Sequence, residues 1–262
     1  MRQGGTGHSR ARARPRLSVA AARMDRSRST PFLGLAMVAL TLIALTGCAG
    51  FASTDKPSTA ADAWAGAERW VPKDVMNPPV VILLHGCTGI TPGLRNWGRV
   101  LRNAGYLVIA PDSFARRDRA QWCDPRTNTT PPDSQRKAQA LRADEVAYAL
   151  GRVREMSAPQ AILMGHSEGG VATGLTVGGW DAYVVSGYSC RVLRIPTDSP
   201  TMLISYETDP WVVTAGGTNR CPAAAAERSR TKAYTAAGHG HDLGFDTNAH
   251  RAVLDFLKDL GR

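Results

Sequence analysis

The protein has 262 residues, 43% of them hydrophobic and 21% charged, the composition of an ordinary globular domain with a full core, which excludes disordered, collagen-like and coiled-coil chains. The formal net charge of +10 invites a polyanion partner, but residues 1–47 carry eight Arg and one Asp, and from Cys48 onward 24 basic residues stand against 21 acidic ones. The excess sits in the leader, and no nucleic-acid partner is expected for the body.

Residues 32–46 are apolar almost throughout, follow Arg26 and Arg28, and end at Leu45, Thr46, Gly47 and Cys48. This is the layout of a signal peptide, with a charged region, an apolar region and a small-residue cleavage site. A transmembrane anchor is the alternative, although the run falls short of the ~20 residues that span hydrocarbon. Leu45 to Cys48 resemble the bacterial lipobox, in which the Cys is lipidated and becomes the mature N-terminus. Export is therefore expected, with a membrane lipid anchor on Cys48 or, if the signal is a plain secretory one, as a periplasmic or extracellular protein, and 1–47 is the expected signal segment. Translation from Met24 in place of Met1 would give a charged region of ordinary length, so residues 1–23 stay open. Residues 48–63, rich in Ala, Ser and Thr, read as a tether, and the folded body is expected over 64–262.

Residues 80–85 are apolar and β-branched before Gly86, the pattern of a parallel strand buried on both faces. Similar runs occupy 106–110, 161–164, 182–186, 201–206 and 231–235. Between them, Ala143, Val146, Ala147, Leu150 and Val153 mark one face of a helix starting at Asp133 or Ser134. Ala252, Val253, Phe256, Leu257 and Leu260 mark a closing helix. Alternating strands and helices predict an α/β fold, a mostly parallel doubly wound sheet flanked by helices, in a single domain. The long polar stretch 112–132 should border the ligand crevice.

Gly165, His166, Ser167, Glu168 and Gly169 form a G-x-S-x-G pattern between a strand and a run of small residues. Such an elbow presents a nucleophilic Ser on a turn too tight for neighbouring Cβ atoms. The Ser needs a base and the base an orienting acid, in the chain order Ser, acid, His. Asp209, in the turn after a strand, is the favoured acid, with Glu207 the alternative. His239 and His241 lie in a loop that could cross the elbow, whereas His250 should pack in the closing helix. Oxyanion donors are expected from the N–H groups of Glu168 and Cys87, and His85 reads as a loop anchor. After Cys48 four cysteines remain, Cys87, Cys123, Cys190 and Cys221, an even number without zinc-like spacing, as in an oxidising compartment. No metal or cofactor is expected.

With these residues placed, the chain resembles the dienelactone hydrolase-like branch of the α/β-hydrolases over about residues 68–260. The resemblance rests on residues 85–89, on Ala110, Pro111, Asp112, Ser113 and Phe114 followed by Arg117, and on the Ser167 elbow. The acid turn 207–211 and residues 237–242, which match the family's Ala-x-His-x-Phe-Asp, add to it. It implies His239 as the base, with His241 in place of the family's Phe, and Phe114 and Trp211 lining the substrate site. It also implies a Cys190–Cys221 disulfide, leaving Cys87 and Cys123 as a second pair. True dienelactone hydrolases have a Cys nucleophile and a Glu after the strand-end His, where this chain has Ser167 and Gly86.

The expected activity is hydrolysis of a small ester, thioester or lactone by Ser167, His239 and Asp209 through an acyl-enzyme. One alternative is a non-catalytic envelope lipoprotein on the same scaffold, and another is a metal-dependent hydrolase using His239, His241 and Asp242. Arg116, Arg117 and Arg119 are candidates to meet an acidic substrate.

Overall fold

The computed structural model describes residues 58–261. The expected signal segment, Cys48 and most of the tether lie outside the described residues. The tether's last residues, from Ala60, are not loose. They open helix α1 (Ala60–Ala65), where the Asp62 carboxylate accepts the Thr59 N–H at 2.7 Å, and Ala63 and Trp64 are buried.

Strand β1 (Glu68–Trp70) is short and had no signal in the sequence. It pairs antiparallel with β3 (Leu107–Ala110) at one edge of the sheet, while β2 (Val80–Leu84), β4 (Ala161–His166), β5 (Ala182–Ser186), β6 (Thr201–Thr208) and β7 (Thr231–His239) are parallel. The order is β1-β3-β2-β4-β5-β6-β7. All five residues of β2 are buried, because successive side chains point to opposite faces and both faces are covered. Val81 and Leu83 join Trp97 and Leu101 of α2 (Pro92–Asn103) and Val253 and Phe256 of α7 (Thr247–Asp259). Val80, Ile82 and Leu84 join Trp64, Val146 and Val153 of α3 (Pro132–Glu155) and Ala172 of α4 (Glu168–Gly174).

Helix ends follow local chemistry. Thr91 Oγ1 accepts the Leu94 N–H at 3.2 Å ahead of Pro92, and Asp246 accepts the N–H groups of Asn248 and Ala249 at 2.9 and 2.8 Å. The expected doubly wound, mostly parallel sheet is the observed one. The chain from Asp112 to Pro131 holds a single 3-10 turn (Ser113–Ala115) and otherwise runs irregularly to α3. Its Cys123 is bridged to Cys87, and Cys190 is bridged to Cys221, the first residue of α6 (Cys221–Ala226). No helix among the described residues is long and apolar enough to cross a membrane.

Candidate active site

Ser167 sits between β4 and α4 with φ 58° and ψ −118°, a left-handed conformation costly for a residue with a Cβ and held only by its surroundings. Those surroundings explain the glycines. A Cβ on Gly165 would stand 2.1 Å from the Gly169 carbonyl oxygen, one on Gly169 2.4 Å from that of Leu84, and one on Gly170 2.4 Å from that of Ser186. The elbow thus packs backbone against backbone, which lifts Ser167 over the carboxyl ends of the strands.

Asp209 follows β6 and caps α5 (Pro210–Thr214). It is 3% exposed, its Oδ1 accepts the Trp211 N–H at 2.9 Å, and its Oδ2 accepts from His241 Nδ1 at 2.7 Å. Glu207 is exposed and accepts the Gly238 N–H at 3.0 Å.

The histidine on Asp209 is therefore His241, where the sequence reading placed His239. The reason lies in the β6–β7 ladder. Its register shifts between Tyr206, opposite Ala236, and Thr208, opposite His239, so β7 carries one residue more than β6 there, and Gly238 takes φ +86°. Such a bulge re-aims the side chains beyond it. His239 stays in the ladder as an exposed strand end, Gly240 still donates to the Thr208 carbonyl at 3.0 Å, and His241 is the first residue free to cross the strand ends. Because Nδ1–H donates to Asp209, the Nε2 atom of His241 carries a lone pair. It is buried without a hydrogen-bond partner among the described residues.

Ser167, His241, Cys87, Glu168 and Trp211 line one cleft of about 300 Å³, closed on other sides by Asn128, Thr129 and Thr130 of the long loop and by Tyr188. The loop thus borders the crevice as expected. Trp211 lies with its ring 5.6 Å from that of His241. Phe114 does not line the cleft. It stacks on His85 at 5.5 Å, beneath Arg119, because the 3-10 turn directs its ring inward. Glu168 opens α4, so its N–H has no intrahelical acceptor. Cys87 follows β2 in a turn closed by Gly89 N–H to the Gly86 carbonyl at 3.2 Å, and its bridge to Cys123 ties that turn to the long loop.

Behind the elbow lies a cluster of charged side chains that no periodicity announces. Arg142 is fully buried. Its Nη1 donates to Glu145 at 3.0 Å, its Nε to Glu168 at 3.0 Å, and its Nη2 to the His85 carbonyl at 2.8 Å. Arg119 donates to Glu168 at 2.6 Å between the rings of Phe114 and Trp122, and Arg116 pairs with Asp118 and Glu145. Arg116 and Arg119 are thus committed inward, away from any acidic substrate, and Arg117 lies exposed beside Ser58. His85 is the loop anchor expected of it. Nε2 accepts the Ser113 N–H at 2.9 Å, so the proton is on Nδ1, 2.7 Å from the Gly86 carbonyl, and burial followed by the Arg142 charge holds its pKa well below 6.5.

His166 lies with its ring 4.8 Å from that of His241. Burial first, then the charge His241 can carry, push its pKa down to about 4. His250 packs against Trp97 with Nε2 3.0 Å from the Gly244 carbonyl oxygen. The metal-ligand alternative finds no convergence. His241 is turned to Asp209, Asp242 accepts the Gly244 N–H at 2.8 Å, and His239 is exposed.

No family model and no curated protein matches this sequence. Solved structures do match it. Est1E from Butyrivibrio proteoclasticus, with ferulic acid bound, has a TM-score of 0.57 at 13% identity, covering 74% of this chain and 94% of that one. TT1662 from Thermus thermophilus gives 0.55 at 18%, covering 74% and 92%. Esterase PE8 gives 0.52 at 15%, covering 78% and 100%. At such identities the likeness concerns architecture alone, and the sheet order, elbow and flanking helices give this chain the α/β-hydrolase fold, in common with solved structures that include an esterase.

Proposed function

We propose that this protein is a serine hydrolase of a small ester, thioester or lactone, with Ser167 as nucleophile, His241 as base and Asp209 as the group that orients it. The observation that carries the reading is the 2.7 Å contact from His241 Nδ1 to Asp209, which leaves an unpartnered Nε2 on the cleft that Ser167 lines. Ser167 Oγ attacks the carbonyl carbon while its proton passes to Nε2. The carbonyl electron pair moves to oxygen, where the N–H groups of Cys87 and Glu168 receive it. Collapse of that intermediate expels the alkoxide or thiolate, which takes the proton from His241, and water repeats the cycle to release the acid.

The neighbours have parts in this cycle. Arg142 holds both the Glu168 side chain and the carbonyl of His85, two residues before Cys87, and so sets the spacing of the two oxyanion donors. His166, neutral above about pH 4, spares the His241 cation a like charge 4.8 Å away. Trp211 walls the side of the cleft nearest the base. Two disulfides support an oxidising compartment, and we assign the membrane attachment to a lipid on Cys48. Cys48→Ala protein should lose membrane retention, and unchanged retention and mass would remove that assignment.

A fluorophosphonate probe, which bonds its phosphorus to an activated serine and releases fluoride, tests the chemistry. Wild-type and His239→Ala protein should label, while Ser167→Ala and His241→Ala protein should not. A folded wild type that stays unlabelled would leave a scaffold without catalysis. Labelling lost in His239→Ala and kept in His241→Ala would move the base back to His239.

A further inference from the structure

Beside the cleft lies a second hollow of about 420 Å³, lined by Ser189, Arg191, Gly216, Gly217, Thr218 and Arg220. Ser189, Arg191 and Gly217 line both, so the two hollows adjoin. Arg191 and Arg220 are exposed, and neither side chain has a hydrogen bond or ion pair among the described residues. Their closeness is built by covalent structure. Arg191 follows Cys190 and Arg220 precedes Cys221, whose bridge holds the Cα atoms 4.9 Å apart, and the Arg220 N–H donates to the Ser189 carbonyl at 3.0 Å. The two backbone positions that carry these cations are thereby fixed as neighbours. Among the described residues no carboxylate lines the hollow, and Glu168, the one carboxylate lining the cleft, is taken up by Arg119 and Arg142.

We propose that this hollow is a subsite for an anionic group, carboxylate or phosphate, carried by the substrate beyond its scissile bond. The proposal rests on the hydrolase reading above and adds the substrate class to it: an ester whose far end is charged. Two guanidinium forks can take an anion through paired charge-assisted hydrogen bonds, and an anion between them relieves their mutual repulsion. Gly216 leaves room for it, since a Cβ there would meet nothing within 4 Å.

The test compares 4-nitrophenyl hexanoate with mono-4-nitrophenyl adipate, which have acyl chains of the same length and differ by a terminal carboxylate. Wild-type protein should favour the adipate by about 10- to 100-fold in kcat/KM, chiefly through KM and less so at high salt. Arg191→Gln/Arg220→Gln protein should lose that preference and keep its rate on the hexanoate. In Ser167→Ala protein, calorimetric binding of monomethyl adipate and of inorganic phosphate, each lost in the double glutamine variant, would show the subsite without turnover and rank the two anions. A wild type that hydrolyses both esters equally and binds neither anion overturns the subsite alone. A wild type that binds anions but hydrolyses nothing overturns the hydrolase reading and keeps the subsite.

Discussion

Replacing Arg142 by Met tests whether the buried charge cluster holds the site together. Met fills much of the same volume but removes three donors: those to Glu145 at 3.0 Å, Glu168 at 3.0 Å and the His85 carbonyl at 2.8 Å. Taking one partner from a buried ion pair typically costs about 3–5 kcal/mol, because the other charge stays desolvated. Here both carboxylates keep a second contact. Glu145 retains Ser113 Oγ at 2.7 Å and Arg116 at 3.7 Å, and Glu168 retains Arg119 at 2.6 Å. The lower part of that range applies, about 3–4 kcal/mol, which for a domain of this size lowers Tm by roughly 6–16 °C. The orphaned His85 carbonyl and the loosened Glu168 should let the amides proposed to receive the oxyanion drift, so kcat on an activated ester should fall about tenfold or more while KM changes little. Arg142→Lys, which keeps the charge but loses the fork, should fall between the two in both measurements. The assays are thermal melts by circular dichroism and initial-rate kinetics on one ester. Unchanged Tm and unchanged kcat in Arg142→Met would refute the view that this guanidinium supports the site.

The remaining predictions concern acid, glycines and the bridge. His166 resists protonation in the folded state down to about pH 4, whereas the unfolded chain takes that proton near 6.5. Stability should therefore be full above about 6.5 and fall by about 3 kcal/mol as pH drops toward 4, with buried His85 acting in the same direction. Urea midpoints against pH check this, and His166→Asn should flatten the slope; an unaltered slope would exclude His166 as its source. Gly169→Ala should fail to give soluble, folded protein because its Cβ meets the Leu84 carbonyl oxygen at 2.4 Å. Gly151→Ala in α3, with nothing within 4 Å, should raise stability by about 0.5–1 kcal/mol, both read by expression and melts. Cys190→Ala/Cys221→Ala protein should lose about 3.7 kcal/mol in chemical denaturation, the chain-entropy value for a separation of 31 residues, and a loss near zero would mean that this link does not stabilise by restricting the unfolded chain.

Local chemistry determined much of this protein in advance. A run such as residues 80–84, apolar at every position, has few stable fates other than a strand covered on both faces, and three glycines around Ser167 leave few backbones other than an elbow. That Asp209 after β6 caps the next turn was legible from a carboxylate at a strand end, and the pairing of Cys190 with Cys221 was legible through family resemblance. The choice between His239 and His241 was not, because it depends on one extra residue in β7, and a register shift depends on the partner strand and not on the histidines themselves. The inward turn of Phe114 and the burial of Arg119 and Arg142 were hidden for a related reason. A polar stretch reads as solvated until distant segments, here α3 and the elbow, supply the carboxylates that let its charges leave water. Tertiary structure likewise decided that Arg191 and Arg220, 29 residues apart in the chain, stand beside one hollow, since only the closed bridge between their neighbours brings two like charges together.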